Sequence, residues 1–205
     1  MSFSSNQTNA QTNMGAFGKA KDLQKKILFV ILALIVYRLG TFVPIPGINT
    51  EIFKEIFSQN SGGLLGMFDM FVGGAVKRMS IFALGVMPYI SSAIIMQLLT
   101  AVHPTLEQLK KDGGEQGRQK INQYTRYGTV FLATLQGYGL SVGLENMSGI
   151  SGSAVIDPGL FFRVTTVITI VGGTLFLLWL GEQITQKGIG NGISLIIFSG
   201  IVAEI

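Results

Sequence analysis

Residues 62–102 read GGLLGMFDMFVGGAVKRMSIFALGVMPYISSAIIMQLLTAV. From Ser80 to Val102 no residue is charged, and at about 1.5 Å per residue this length is enough to cross roughly 30 Å of hydrocarbon. Gly85 and Pro88 interrupt this predicted membrane helix. The preceding segment, residues 64–72, is equally apolar, but it is too short to span and contains Asp69. It therefore predicts a re-entrant or buried half-helix.

The composition is typical of a protein that lies in a lipid bilayer. Of the 205 residues, 48% are apolar and 13% are charged, whereas a soluble domain has roughly 25% charged residues. The net charge of +4 is interpreted as a topology signal and not as a nucleic-acid surface, because the basic residues lie between apolar segments. The absence of cysteine excludes disulfides, thiol catalysis and cysteine-ligated metal.

The apolar segments predict an all-α integral membrane protein with five transmembrane helices and the short half-helix. Residues 1–24 are rich in Ser, Asn, Gln and Thr, and they are predicted to be a disordered cytoplasmic tail without a removable signal peptide. The remainder, residues 25–205, is predicted to be one membrane unit. Its spans cover residues 27–43, 80–102, 127–144, 164–180 and 192–205. The last span is short, so we expect the protein to continue beyond residue 205.

The distribution of Lys and Arg predicts how the chain is oriented, because cytoplasmic loops carry an excess of basic residues. With Arg38 left out because it lies inside a span, one side of the membrane has Lys54, Lys77, Arg78 and Arg163. The other side has Lys19, Lys21, Lys25, Lys26, Lys110, Lys111, Arg118, Lys120, Arg126 and Lys187. The pattern predicts that the N-terminus is cytoplasmic.

Two features leave alternatives open. Arg38 lies near the end of the first span, where its side chain either snorkels to the interface or makes a polar contact inside a helix bundle. The second feature is the i, i+4 spacing of two sets of aliphatic residues, Val86 with Ile90 and Ile193 with Ile197. This spacing places the two members of each set on one helical face. Their spacing is compatible with packing, lipid contact or a gate.

The sequence contains no constellation that predicts catalysis. His103 is the only histidine and precedes a proline, so a metal site lacks partners and a general base lacks a nucleophile. The glycines at Gly188, Gly190 and Gly192 follow a predicted helix and no strand, so they indicate a tight turn and not a nucleotide loop. We expect no catalytic residues, no cofactor and no metal.

Five segments resemble the SecY family of protein-conducting channels, in its bacterial form. The two long ones are FALGVMPYISSAIIMQ at residues 82–97 and LGEQITQKGIGNGISLIIF at residues 180–198. The short ones, in the same order as in the family, are PIPG at 44–47, MFVGGA at 70–75 and QYTRYG at 123–128. This family has ten membrane helices in two inverted halves, so the resemblance implies that the chain corresponds to the N-terminal half.

The resemblance also implies three groups of site residues. The first is a plug at residues 62–78 that closes the pore, with Leu64, Leu65, Met67, Phe68, Asp69, Met70, Phe71, Val72 and Arg78. The second is a pore ring of Val86, Ile90, Ile193 and Ile197. The third is a lateral gate, through which signal sequences leave toward lipid, formed by Ser91, Ile94, Ile95 and Leu98.

The function implied by the resemblance is that of the central pore subunit of the protein translocation channel in the bacterial cytoplasmic (inner) membrane. The implied partners are SecE and SecG, the motor SecA or a ribosome, signal sequences, nascent polypeptides and the lipid bilayer. Enzyme activity and direct nucleic-acid binding are not expected, and the family's main docking loops for motor and ribosome are expected in the second half. A small-solute secondary transporter and an intramembrane enzyme are the alternatives; the first predicts charged or polar coordination in mid-span, and the second a nucleophile with a base.

Overall fold

The computed structural model describes residues 6–60, 64–111, 113–149 and 152–203, and the side chains at 6–20, 59, 60, 64, 65, 68, 148 and 149 lie outside this description. The helices are α1 Asn6–Gly40, α2 Thr50–Asn60, α3 Leu64–Phe71, α4 Met87–Val102, α5 Pro104–Lys111, α6 Gly114–Glu145, α7 Leu160–Lys187 and α8 Gly192–Val202. A short antiparallel pair, β1 Ser148–Gly149 and β2 Gly152–Ser153, lies between α6 and α7. The prediction of a mostly helical protein is confirmed.

The helices α6 and α7 form an antiparallel hairpin that an ion pair closes at each end. At one end Arg126 donates from Nε and Nη2 to Oε1 of Glu182, at 3.0 and 2.6 Å. At the other end Arg163 donates from the same two nitrogens to Oε2 of Glu145, at 2.9 and 2.6 Å. The hydrogen bonds from Arg163 lower the pKa of the Glu145 carboxyl, and the backbone N–H of Gly159 lowers it further.

The remaining elements pack around this hairpin. The helix α4 packs on α6, and the hydroxyl of Ser92 donates to the carbonyl of Thr125 at 2.7 Å where they meet. The helices α1 and α8 both pack on α7. A line of rings joins α1 to α7, in which Tyr37 stacks on Phe82 and Phe82 stacks on Phe176, with centroids 6.1 and 6.0 Å apart. These contacts surround one core in which α7 is central.

Two predicted boundaries differ from the structure. The helix α1 begins at Asn6, so it includes most of the segment predicted to be a disordered tail; no proline interrupts the chain there. In the predicted span 80–102, the helix begins only at Met87, and residues 81–86 form successive turns. Gly85 has a φ of 55°, and Pro88 follows with no N–H to donate, so the helix cannot extend through this segment.

The predicted spans 127–144 and 164–180 lie inside α6 and α7, and residues 192–202 of the last span form α8. Within the described residues, α7 alone is long and apolar enough to cross a membrane by itself. The helices α4 and α5 satisfy the same criterion only together, and they are bent by 99° at the break between them. The number of five spans therefore stays a prediction.

Candidate functional site

The chain that follows α3 forms a turn that Asp69 stabilises through hydrogen bonds. The Asp69 carboxylate is buried and accepts the backbone N–H of Lys77 at 2.9 Å, while its carbonyl accepts the N–H of Gly74 at 3.0 Å. Gly73 has a φ of 66°, a conformation that glycine adopts at little cost. The acidic residue inside this apolar segment is therefore explained by a structural role in closing the turn.

Two side chains of α1 bind the carbonyl groups of this turn. The Tyr37 hydroxyl donates to the Val72 carbonyl at 3.2 Å, and Nη1 of Arg38 donates to the Gly73 carbonyl at 2.7 Å. Of the two interpretations of Arg38, the structure supports the polar contact inside the bundle. A further contact joins the same regions, because the Arg78 guanidinium lies 4.3 Å from the ring centroid of Phe42.

The helix α8 approaches the same turn through its backbone. A Cβ atom placed on Gly73 would lie 3.0 Å from the Cα of Gly200, and one placed on Gly200 would lie 3.0 Å from the carbonyl oxygen of Phe71. The backbones of α8 and of the turn are thus in direct contact, which side chains at either position would prevent. The turn at residues 72 and 73 is held from two directions, by α1 and by α8.

Beside this turn is an apolar pocket of about 260 Å³. It is lined by Tyr37, Phe71, Val72, Gly85, Val86, Met87, Ile90, Leu177, Ile196 and Ile197. Three of the four predicted ring residues, Val86, Ile90 and Ile197, therefore meet here, together with Phe71 and Val72 of the predicted plug. All the lining side chains are apolar except that of Tyr37, whose hydroxyl is bonded to the Val72 carbonyl.

Ile193, the fourth predicted ring residue, does not line this pocket. It contacts Gly181 of α7 and lines a separate polar pocket of about 260 Å³. Tyr89, Asn122, Arg126, Glu182, Thr185, Gln186 and Asn191 line the same polar pocket. Ile193 is in the first turn of α8, one turn from Ile197, so a shared helical face does not bring both side chains to one pocket.

The predicted gate residues share a face of α4, most of which is exposed in the described part of the chain. Ile94, Ile95 and Leu98 are 52%, 47% and 63% exposed, and Ser91 is half-buried. A different face of α4, which includes Ser92, packs on α6. This apolar face is thus free to contact lipid or another protein segment.

The predicted plug residues differ in their exposure. Val72 is buried like Asp69, Arg78 is half-buried, and Met67, Met70 and Phe71 are exposed on α3. The side chains of Leu64, Leu65 and Phe68 lie outside the described residues, as do positions 62 and 63.

Sequence reasoning identified neither Tyr37 nor Leu177 and Gly200 as parts of this site. A phenol inside a mostly apolar span was the available signal for Tyr37, because a buried hydroxyl needs a hydrogen-bond partner. Leu177 is one of many leucines in an apolar helix, and Gly200 is one of the chain's 27 glycines, so no local pattern distinguishes them.

Comparison with known proteins gives a family and a fold. The family model described as SecY matches residues 80–205. The protein translocase subunit SecY of Escherichia coli (strain K12) is 58% identical over 188 residues, which is 92% of this chain and 42% of that protein. Sec61 in the canine ribosome-channel complex has a similar fold, with a TM-score of 0.62 at 18% identity, covering 88% of this chain and 36% of that one.

A second solved structure concerns a SecY protein whose plug domain stabilizes the closed state of the translocation channel and maintains a membrane seal. Its TM-score is 0.59 at 18% identity, and the match covers 86% of this chain and 35% of that chain. At this identity the two structures establish a shared fold and nothing further. The chain spans less than half the length of the relative from Escherichia coli.

Proposed function

The chain belongs to the SecY family, and on that premise we propose that it forms the N-terminal half of the central pore of a protein translocation channel. The channel passes unfolded secretory polypeptides across the membrane and releases signal or membrane segments laterally into lipid. One observation carries the proposal: Val86, Ile90 and Ile197 meet the end of α3 at a single apolar pocket. Family membership also makes this a multi-pass membrane protein.

The apolar pocket is the closed constriction of the proposed pore. A narrow passage lined by aliphatic side chains stops ions by excluding water, since it offers neither charge nor a hydrogen-bond partner. The same side chains yield around any extended peptide, because they impose no fixed hydrogen-bond pattern. Phe71 and Val72 close one side of the pocket, which supports the assignment of residues 62–78 as a plug.

Ile193 belongs to the proposed ring by resemblance, and in this closed arrangement it lies one turn away from the other three. We propose that it contacts the polypeptide where the polar pocket meets the constriction. The ion pair of Arg126 and Glu182 borders that polar pocket, so an entering chain passes charged and amide groups before it reaches the apolar ring.

The exposed face of α4 is the proposed wall of the lateral gate. Ile94, Ile95 and Leu98 present branched apolar side chains to which an apolar signal helix binds without leaving a polar group unpaired. A signal helix that leaves water for this face and for lipid gains roughly 25 cal/mol per Å² of apolar surface. Ser91, which is half-buried, lies on the same face one turn before Ile94 and Ile95.

The five predicted spans and their orientation complete the proposal. We propose a bacterial cytoplasmic membrane location with the N-terminus in the cytoplasm, supported by the distribution of basic residues. The two ion pairs of the hairpin are compatible with this orientation. Arg126 and Glu182 lie at the predicted cytoplasmic end, and Arg163 and Glu145 at the outer end.

The proposed partners are SecE and SecG within the channel, with SecA or a translating ribosome supplying force from the cytoplasm. The similar fold of Sec61, solved in a ribosome-channel complex, supports the ribosome as one of them. Signal sequences and nascent polypeptides are the proposed cargo. The comparisons support neither a small-solute transporter nor an intramembrane enzyme, since the matched relatives are protein translocase subunits.

A chimeric channel tests the proposal. In it, this chain replaces the matching part of the Escherichia coli relative, to which it is 58% identical. Inverted vesicles that contain the chimeric channel with SecE, SecG and SecA should protect an added secretory precursor from protease at a rate comparable to that of the unmodified relative. If the chimeric channel is present in equal amount and protects no precursor, the proposed function is wrong.

A further inference from the structure

We propose that Tyr37 and Arg38 of α1 form a latch that holds the plug closed and sets how readily a polypeptide opens the channel. The inference rests on the proposed function and adds to it the residues that regulate opening. The latch consists of two hydrogen bonds, from the Tyr37 hydroxyl to the Val72 carbonyl and from Arg38 Nη1 to the Gly73 carbonyl.

The latch acts on backbone and not on side chains. Both acceptors are carbonyl groups of the turn that directly follows α3, and the two residues that carry them, Val72 and Gly73, are buried. An arginine is well suited to this position because it stays charged and forms short, strong hydrogen bonds. Since both carbonyls lie in a region of low polarity, releasing them without a new partner is costly. The closed position of the plug is therefore favoured by the two donors.

The latch lies next to α8, so a displacement of the ring residue Ile197 would also affect the latched turn. Gly200 of α8 contacts the same turn through its backbone and lies one helical turn after Ile197, which lines the apolar pocket. A polypeptide that displaces α8 to pass the ring also separates Gly200 from Gly73. The donors of α1 are then the side-chain hydrogen bonds that still hold the carbonyls of Val72 and Gly73. Arg38 and Tyr37 thus determine whether dilation of the ring releases the plug.

Two variants separate the contributions of the donors. Arg38→Ala removes the charged donor, and Tyr37→Phe removes one hydroxyl while leaving the ring that stacks on Phe82. Leu39→Ala is the matched control, because Leu39 is the next residue of α1 and is 66% exposed. All are made in the chimeric channel.

The measured quantity is the rate of translocation of a precursor with a shortened apolar signal, relative to the same precursor with its intact signal. Weakening the closed state raises this ratio, whereas a merely damaged channel lowers both rates. Arg38→Ala should raise the ratio about tenfold, which corresponds to about 1.4 kcal/mol. Tyr37→Phe should raise it about threefold, as expected for a neutral hydrogen bond. Leu39→Ala should leave it unchanged.

The possible outcomes distinguish a failure of the proposed latch from a failure of the proposed function. If Arg38→Ala passes the intact precursor normally and its ratio stays at or below that of the unsubstituted chimeric channel, the latch is overturned while the proposed function stands. If Arg38→Ala fails to pass even the intact precursor, Tyr37→Phe decides by the same criterion. An unsubstituted chimeric channel that passes no precursor overturns the proposed function, and the latch with it.

Discussion

Replacement of Gly173 by alanine should damage the support of the constriction, whereas the same change at the neighbouring Gly172 should not. Both glycines are in α7. A Cβ on Gly173 would overlap the carbonyl oxygen of Ile81, while a Cβ on Gly172 meets nothing within 4 Å. Ile81 begins the turns that lead to Val86, so the overlap would displace the segment that carries a ring residue.

The magnitude follows from comparing the two variants directly. Either alanine favours helix by up to about 1 kcal/mol relative to glycine, so this gain cancels in the difference. What remains is the steric cost at Gly173, which for overpacking is about 1 to 3 kcal/mol and is expected at the upper end because the obstacle is backbone. The shift is about 2 to 4 °C per kcal/mol for a domain of this chain's length and about half that for the full channel, of which this chain covers 42%, so the midpoints should differ by about 3 °C or more.

The assay is the temperature at which half of the purified chimeric channel is lost from the monodisperse peak in detergent. Gly172→Ala should match or exceed the unsubstituted channel, and Gly173→Ala should lie well below it. Equal midpoints for the two variants would show that α7 and the segment at Ile81 are not in close contact, which would refute the packing described above.

Three further predictions follow from the site and the hairpin. Ile90→Gly should raise the resting ion conductance of vesicles more than Ile193→Gly, because only Ile90 lines the apolar pocket; an equal or reversed effect would contradict this placement. This chain has no cysteine, so a cysteine that replaces Ser91 should crosslink to the signal sequence of an arrested precursor. If no crosslink forms while translocation is intact, Ser91 is not part of the gate. Because the Glu145 pKa is lowered by Arg163, the stability that this pair provides is present above the ordinary value of 4.5 and is lost as the pH falls through the folded pKa. Acidification below pH 4.5 should therefore lower the thermal midpoint of the Glu145→Gln channel less than that of the unsubstituted channel. An equal decrease in both channels would show that the ion pair does not stabilise the fold.

The composition and the spacing of charges predicted the fold class well. The uncharged stretch from Ser80 to Val102 can be recognised in the sequence, because the lipid requires an apolar residue at nearly every position of a span. The start of the helix at Met87 was not predicted, although Gly85 and Pro88 were recognised as interruptions. Hydropathy measures only how apolar a segment is, and the turns at 81–86 are as apolar as a helix.

The candidate site required the tertiary structure. The spacing of Ile193 and Ile197 predicted a common helical face, yet they lie one turn apart along α8 and line two different pockets. Arg38 was identified as unusual, but its partner is a carbonyl 35 residues away, and every residue offers such an acceptor. Which carbonyl it binds depends on the path of the turn after α3, and local sequence does not encode that path.

The most direct test of the proposed polypeptide path is a photocrosslinker at Ile90 in the chimeric channel. The control is a photocrosslinker at Leu135, which is 60% exposed on α6 and does not line the apolar pocket. A secretory precursor is arrested in transit, and the channel is irradiated. We expect the mature part of the precursor to crosslink to position 90 and not to position 135. Efficient translocation with no crosslink at position 90, or with equal crosslinking at both, would contradict the claim that the polypeptide passes through this constriction.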